Sequence, residues 1–131
     1  MRNGGAAYRD EDRIRHMLKA VHRIKGQLGG LTRDSLHDDD NVTDVIVYHI
    51  QIIGEAANNL SDDFCRTHSE IDFKGWAGMR HRLVHDYAEI DYDIVWDAVS
   101  TDLPVLEKQL SALVKTFPEE PKIPANLEQF L

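Results

Sequence analysis

The feature that most constrains the fold is the helical spacing of apolar residues along most of the 131-residue chain. From Asp10 onward, apolar side chains recur at the i, i+3, i+4 and i+7 positions that share one face of an α-helix. These residues are Ile14, Met17, Leu18, Val21, Ile24 and Leu28. The Gly29-Gly30 pair that follows predicts the end of this first helix.

A second predicted helix begins near Asn41 or Thr43, because either side chain could act as its N-cap. Its apolar stripe consists of Val42, Val45, Ile46, Ile50, Ile53, Ala57, Leu60 and Phe64. Three small residues of this helix should let another helix approach closely: Gly54, Ala56 and Ala57. The polar, acidic segment 32–41 before this helix is typical of a loop.

Two further helices are predicted, over about residues 73–86 and about residues 92–116. Asp72 can cap the first of them. Pro104 should kink the second, because proline removes one backbone donor and crowds the preceding turn. Four amphipathic segments without strand-like alternation predict an all-α bundle with up-down topology.

The domain boundaries follow from where the helical period begins and ends. Residues 1–9 are expected to be a flexible N-terminus, and residues 10–117 to form one helical domain. Residues 118–131 contain three closely spaced prolines, so we expect an extended C-terminal tail.

Composition restricts the classes of function. The formal net charge is −8, which argues against the extended basic face that broad nucleic-acid binding needs. The single cysteine, Cys65, cannot form an intramolecular disulfide, and no secretory signal is apparent, so a cytoplasmic protein is expected. The apolar runs are too short to span a membrane.

One cationic stretch, GMRHRLVHDY (78–87), stands out in this acidic chain. It contains Arg80, His81, Arg82 and His85, and no acidic residue lies between Asp72 and Asp86. On an ideal helix, Arg80 and Tyr87 would share a face, whereas His85 would point away from it. The three could meet if the helix ended or distorted near His85, or if a twofold dimer supplied a second copy.

These residue types suit metal-free cleavage of a phosphodiester. Arginine binds phosphate oxygens, histidine transfers protons near neutral pH, and tyrosine offers a hydroxyl or a stacking ring. Two alternatives stay open: ordinary surface and core positions, or a metal site, since His81 and His85 have i, i+4 spacing. Glu55 either pairs with Arg80 or Arg82 and orients them, or occupies a plain surface position.

The motif Arg80-x4-His85-x-Tyr87 resembles that of the HEPN superfamily, specifically its HepT-like toxins. The resemblance extends to IIGEAANNLS (52–61), FKGWAGMRHRLVHDY (73–87) and IDYDIVWDAVSTDLPVLEKQL (90–110), and it covers roughly residues 10–115. It implies a bundle of four to five helices that forms homodimers, with the two motifs meeting at the dimer cleft.

The resemblance also implies function. Members of the HepT-like family are metal-independent endoribonucleases that act as toxins. Each is paired with an antitoxin that carries a minimal nucleotidyltransferase (MNT) domain. Arg80 and His85 would be the catalytic pair, with no metal or other cofactor. Tyr87 would contact RNA and receive AMP from the antitoxin. We assign His81 and Arg82 to substrate binding and Glu55 to a supporting role.

A second function fits the same resemblance. The chain could be a HEPN binding module without cleavage activity, which presents substrate or nucleotide to its nucleotidyltransferase partner. The intact motif favours the ribonuclease.

Overall fold

In a computed structural model, residues 2–85 and 89–118 are described, apart from the side chains of residues 2–8 and of His85. This part of the chain contains seven α-helices and one pair of two-residue strands. The helices are α1 (Arg2–Gln27), α2 (Asp40–Asn58), α3 (Asp62–Thr67), α4 (Phe73–Ala77), α5 (Met79–Leu83), α6 (Tyr92–Asp97) and α7 (Leu103–Val114). The strands are β1 (Val84–His85) and β2 (Glu89–Ile90).

The predicted all-α bundle is confirmed. The long helix α1 packs against both α2 and α7, and α2 in turn packs against α4 and α5. The apolar stripes meet in one core, whose fully buried members include Ile14, Ile24, Ile50, Leu106 and Leu110. No helix in the described residues is both long and apolar enough to cross a membrane.

The first helix begins earlier than the apolar period predicts. The backbone is helical from Arg2, eight residues before the predicted start at Asp10. The end was predicted correctly: α1 stops at Gln27, and Gly30 has a φ of 74°, a conformation that glycine adopts without strain. The tail predicted from residue 118 lies outside the described residues beyond Pro118.

The N-cap of α2 is Asp39, so the prediction of Asn41 or Thr43 was wrong. The Asp39 carboxylate accepts hydrogen bonds from the backbone N–H groups of Asn41 (3.0 Å) and Val42 (3.2 Å). Thr43 instead lies buried inside the helix, where its hydroxyl donates to the Leu36 carbonyl at 2.6 Å. The preceding loop contains a 3₁₀ turn (Asp34–His37) in which Leu36 is buried.

The later predicted helices are shorter than the apolar period suggests. The second ends at Asn58, and Ser61 caps the separate helix α3. The third is divided into α4 and α5 at Gly78, although the predicted cap Asp72 is confirmed by its 2.9 Å bond from the Gly75 N–H.

The fourth predicted helix is interrupted just before Pro104. A π-helical turn (Ala98–Asp102) separates α6 from α7, and Pro104 lies in the first turn of α7. The first N–H groups of a helix have no partner within it, so a proline at this position costs the helix no hydrogen bond. The predicted distortion therefore takes the form of one widened turn.

Candidate functional site

The cationic cluster is presented by the short helix α5. Met79 and Leu83, four residues apart, are buried in the core and fix this helix on the bundle. The three residues between them, Arg80, His81 and Arg82, are exposed. Burial of one edge of a five-residue helix thus displays the predicted Arg-His-Arg sequence to solvent.

The chain leaves the helix immediately after this cluster. Val84 has extended backbone angles (φ −124°, ψ 117°), and strand β1 pairs antiparallel with β2, with His85 opposite Glu89. The Asp91 N–H donates to the Leu83 carbonyl at 2.7 Å and closes the junction. The prediction that one helix runs over residues 73–86 was therefore wrong at its end, since a backbone that pairs with a strand cannot continue the helical ladder.

This junction takes His85 off the helix that carries Arg80. On a continuous helix the His85 side chain would point away from Arg80. The two residues of one chain can approach each other only if the helix ends or distorts near His85. The backbone does so, because His85 lies on the strand and not on α5. The side chain of His85 and the whole of Tyr87 lie outside the described residues, so the structure brings together only the Arg-His-Arg part of the predicted site.

Arg80 and Arg82 differ in their surroundings. Two positions apart on a helix correspond to a rotation of about 200°, so the side chains leave α5 in different directions. Arg82 Nη1 lies 3.5 Å from the Met79 sulfur, and Arg82 lines a cavity of about 270 Å³ beside Trp76 and Asp102. Within the described chain, Arg80 makes no hydrogen bond or ion pair, and its side chain is exposed.

Glu55 occupies the surface position that was one of its two predicted alternatives. It is exposed, and its carboxylate accepts a hydrogen bond at 3.3 Å from the side-chain amide of Asn59, the C-cap residue of α2. Among the ion pairs of the described residues, none joins Glu55 to Arg80 or Arg82.

The neighbouring Gly54 has the close approach that the small residues predict. A Cβ atom there would lie 2.7 Å from the Trp76 carbonyl oxygen, so α2 and α4 are in backbone contact at this point. The helix that carries Glu55 is thereby held against α4, which directly precedes the cationic stretch.

Other reactive groups give no competing site in the described part. Among the described residues, no group of three histidine, cysteine or carboxylate side chains could hold a metal ion. The predicted His81–His85 metal pair is not tested, because the His85 side chain lies outside the described part of the chain. Partial burial raises the pKa of Cys65, and the carboxylates of Asp10 and Asp62 raise it further. A raised pKa disfavours the thiolate, so Cys65 is poorly suited to act as a nucleophile.

A second group of basic residues, which the sequence patterns did not reveal, lies between α1 and α2. On α1, His16, Lys19 and Arg23 share one face with Ala20, and they oppose Tyr48 and its neighbours on α2. The i, i+3, i+7 spacing of these cations is the signal that could have identified the group.

Fold and site together define an all-α bundle with an exposed arginine–histidine cluster at a helix-to-strand junction. The profile of the family described as "Ribonuclease HepT-like" matches residues 17–113, a span that includes the whole of this cluster. The chain therefore belongs to the HepT-like ribonuclease family of the HEPN superfamily.

Individual relatives agree with this assignment. A protein of Caldanaerobacter subterraneus subsp. tengcongensis, named as a candidate RNase, is 31% identical over 102 residues, which are 78% of this chain and 91% of the relative. A Thermococcus cleftensis protein named "Probable ribonuclease HepT" is 29% identical over 105 residues, 80% of this chain and 96% of the relative. No solved structure shows a significant match.

Proposed function

We propose that this protein is a metal-independent endoribonuclease in which Arg80 and His85 carry out the cleavage. The observation that supports this most is the exposed Arg80, which binds no other described residue, on a helix that ends three residues later at Leu83. An exposed guanidinium beside a histidine-bearing strand, in a chain that belongs to a ribonuclease family, suits the binding of an RNA phosphate.

In the proposed reaction, His85 takes the proton from a ribose 2′-hydroxyl, whose oxygen then attacks the adjacent phosphorus. The bond from phosphorus to the 5′-oxygen breaks, and a 2′,3′-cyclic phosphate forms. The leaving 5′-oxygen takes up a proton, supplied by water or by a histidinium of the site. Arg80 stabilises the negative charge that gathers on the phosphoryl oxygens in the transition state.

The remaining residues of the stretch have supporting roles in the proposal. Tyr87 and His81 contact the RNA beside the scissile phosphate. Arg82, which lines the cavity beside Trp76, would contact a neighbouring nucleotide. Glu55 has an indirect role at most, because the side-chain hydrogen bonds described for it come from Asn59, the C-cap residue of its own helix.

The biological role we propose is that of a cytoplasmic toxin. Two copies of the domain (residues 10–117) would place their motifs in one cleft as a homodimer. An antitoxin with an MNT nucleotidyltransferase domain would neutralise it by transferring AMP to the Tyr87 hydroxyl. The bulk and negative charge of that AMP would exclude the RNA phosphate from the cleft.

Induced expression without any partner tests this role. Wild type should arrest growth and degrade total RNA, whereas His85→Ala, at equal soluble expression, should do neither. Lys108→Ala, an exposed change on α7, serves as the control and should behave as wild type. If wild type and His85→Ala cultures grow alike with intact RNA, the toxin proposal fails and the non-catalytic binding module takes its place.

A further inference from the structure

The groove between α1 and α2 combines positive charge with an exposed aromatic ring. It encloses about 370 Å³ and is lined by His16, Lys19, Ala20, Arg23, Tyr48, His49 and Ile52. No carboxylate is among these lining residues, in a chain whose net charge is −8. The groove is thus a local exception to the acidity of the molecule.

The two strongest cations of the groove have no partner in the described part of the chain. Lys19 and Arg23 are exposed and make no hydrogen bond or ion pair there. Elsewhere on the same helix, Lys25 Nζ lies 2.9 Å from a Glu107 carboxylate oxygen, and Arg15 donates to the Pro118 carbonyl at 2.8 Å. His16 is only loosely paired, 3.9 Å from Asp12. The groove therefore retains positive charge that an external anion could neutralise.

The aromatic component is Tyr48, which is 59% exposed although it is a large hydrophobic residue. Its ring contacts the ring of His49 edge-on, with 5.1 Å between the ring centroids. This contact supports the Tyr48 ring, and more than half of the residue's surface stays exposed to solvent. An exposed ring next to unpaired cations is the arrangement by which proteins bind single-stranded nucleic acid, stacking bases and pairing phosphates.

The groove shares no residue with the motif, because residues of α1 and α2 line it, whereas α5 and β1 carry Arg80 and His85. On α2, Gly54 faces α4, whereas Ile52, about 200° away around the helix, faces the groove. The groove and α4, the helix directly before the one that carries Arg80, therefore lie on opposite sides of α2.

We propose that this groove is a second contact site for the substrate RNA, with Lys19 and Arg23 on backbone phosphates and Tyr48 stacked on a base. The inference rests on the proposed function, because it takes the RNA cleaved at the motif as the ligand. The groove would hold the strand away from the scissile phosphate and strengthen its binding without taking part in the reaction.

Binding of a fluorescent single-stranded RNA of about 16 nucleotides tests the site, with anisotropy as the readout and His85→Ala as the parent to prevent cleavage. Adding Lys19→Ala and Arg23→Ala should raise the Kd at least about tenfold. It should also reduce the salt dependence of log K by about 1.4, which is the loss of two phosphate contacts. The matched control, Lys108→Ala with Lys115→Ala, removes the same charge from α7 and the residue that follows it, and should leave the Kd unchanged.

The aromatic contact has its own pair of variants. Tyr48→Leu should weaken RNA binding by about tenfold, and Tyr48→Phe, which keeps the ring, should not. Thermal unfolding of each variant verifies that the bundle is intact.

Three results would overturn the inference. The first is that the parent does not bind RNA, and the second is that the groove variant and the control variant weaken RNA binding equally. The third is that the Lys19→Ala, Arg23→Ala variant loses binding to poly-glutamate, measured in the same way, but still binds RNA. The last result would assign the groove to an acidic protein. Cleavage of the same RNA by wild type is scored separately, so a failed groove and a failed ribonuclease give different results.

Discussion

At the scale of single residues, Gly54 determines how closely α2 and α4 can pack. A Cβ atom added at this position would meet a backbone oxygen of Trp76, which cannot rotate away as a side chain could. Sequence alone predicted this approach from the cluster of small residues. It could not identify which of the three residues makes the contact, because that depends on the rotation of α2 about its axis.

We expect Gly54→Ala to lower the free energy of unfolding by about 1–3 kcal/mol, since the added methyl group forces the two helices apart. Gly26→Ala is the matched control, because Gly26 lies in α1 with nothing within 4 Å of its Cβ position. There the same change should stabilise the protein by up to about 1 kcal/mol, through the higher helix propensity of alanine. Urea unfolding measures both, and changes of the same sign would contradict the packing account.

Glu55 shows what residue patterns leave undetermined. Its position among small residues was compatible with a pair to the cationic stretch or with solvent. In the structure, the Glu55 carboxylate accepts a hydrogen bond from the side-chain amide of Asn59, four residues further along the chain. Which partner a flexible side chain takes depends on distances between elements, and these are set by the whole bundle.

At the scale of elements, caps and breaks determine where the helices begin and end. The apolar period predicted the helices and their buried faces, but it continues unchanged across the breaks. Trp76, Met79 and Leu83 keep helical spacing through the interruption at Gly78, because α4 and α5 present their apolar sides to the same core. The strand after Leu83 was missed for the same reason, since two paired residues are too few to show an alternating pattern.

The start of α2 gives a direct test of a cap. Asp39→Ala should destabilise the protein by about 1 kcal/mol, because it removes the acceptor for two N–H groups of the first turn. Asp38→Ala, the same charge change at an exposed neighbouring position, and Asn41→Ala should each change stability by less than half as much. Thermal unfolding of the three variants decides the matter, and a larger loss for Asn41→Ala would restore the cap predicted from sequence.

At the scale of the whole molecule, one contact ties distant parts of the chain together beneath the surface. The Asp10 carboxylate is 4% exposed and accepts hydrogen bonds from the Ser61 N–H (2.9 Å) and hydroxyl (2.7 Å). We expect Asp10→Ala to cost about 2–3 kcal/mol, because it leaves the Ser61 donors without this partner. Asp12→Ala, which loses only a long, exposed pair with His16, should cost far less by urea unfolding. Equal costs would contradict this account.

The proposed shared cleft predicts the assembly state. Light scattering of the native protein should give twice the 15.0 kDa chain mass. A mass of one chain at micromolar concentration would contradict a cleft formed by two motifs, while leaving open cleavage by one motif at the helix-to-strand junction.

If Arg80 and His85 cleave RNA without a metal ion, purified protein should cleave a labelled RNA in excess EDTA. The products should end in a 2′,3′-cyclic phosphate. Metal-free catalysis by these two residues also predicts a loss of about 100-fold or more in rate for His85→Ala and for Arg80→Ala, with Lys108→Ala equal to wild type. Cleavage that EDTA abolishes, or that both motif variants retain, would contradict it.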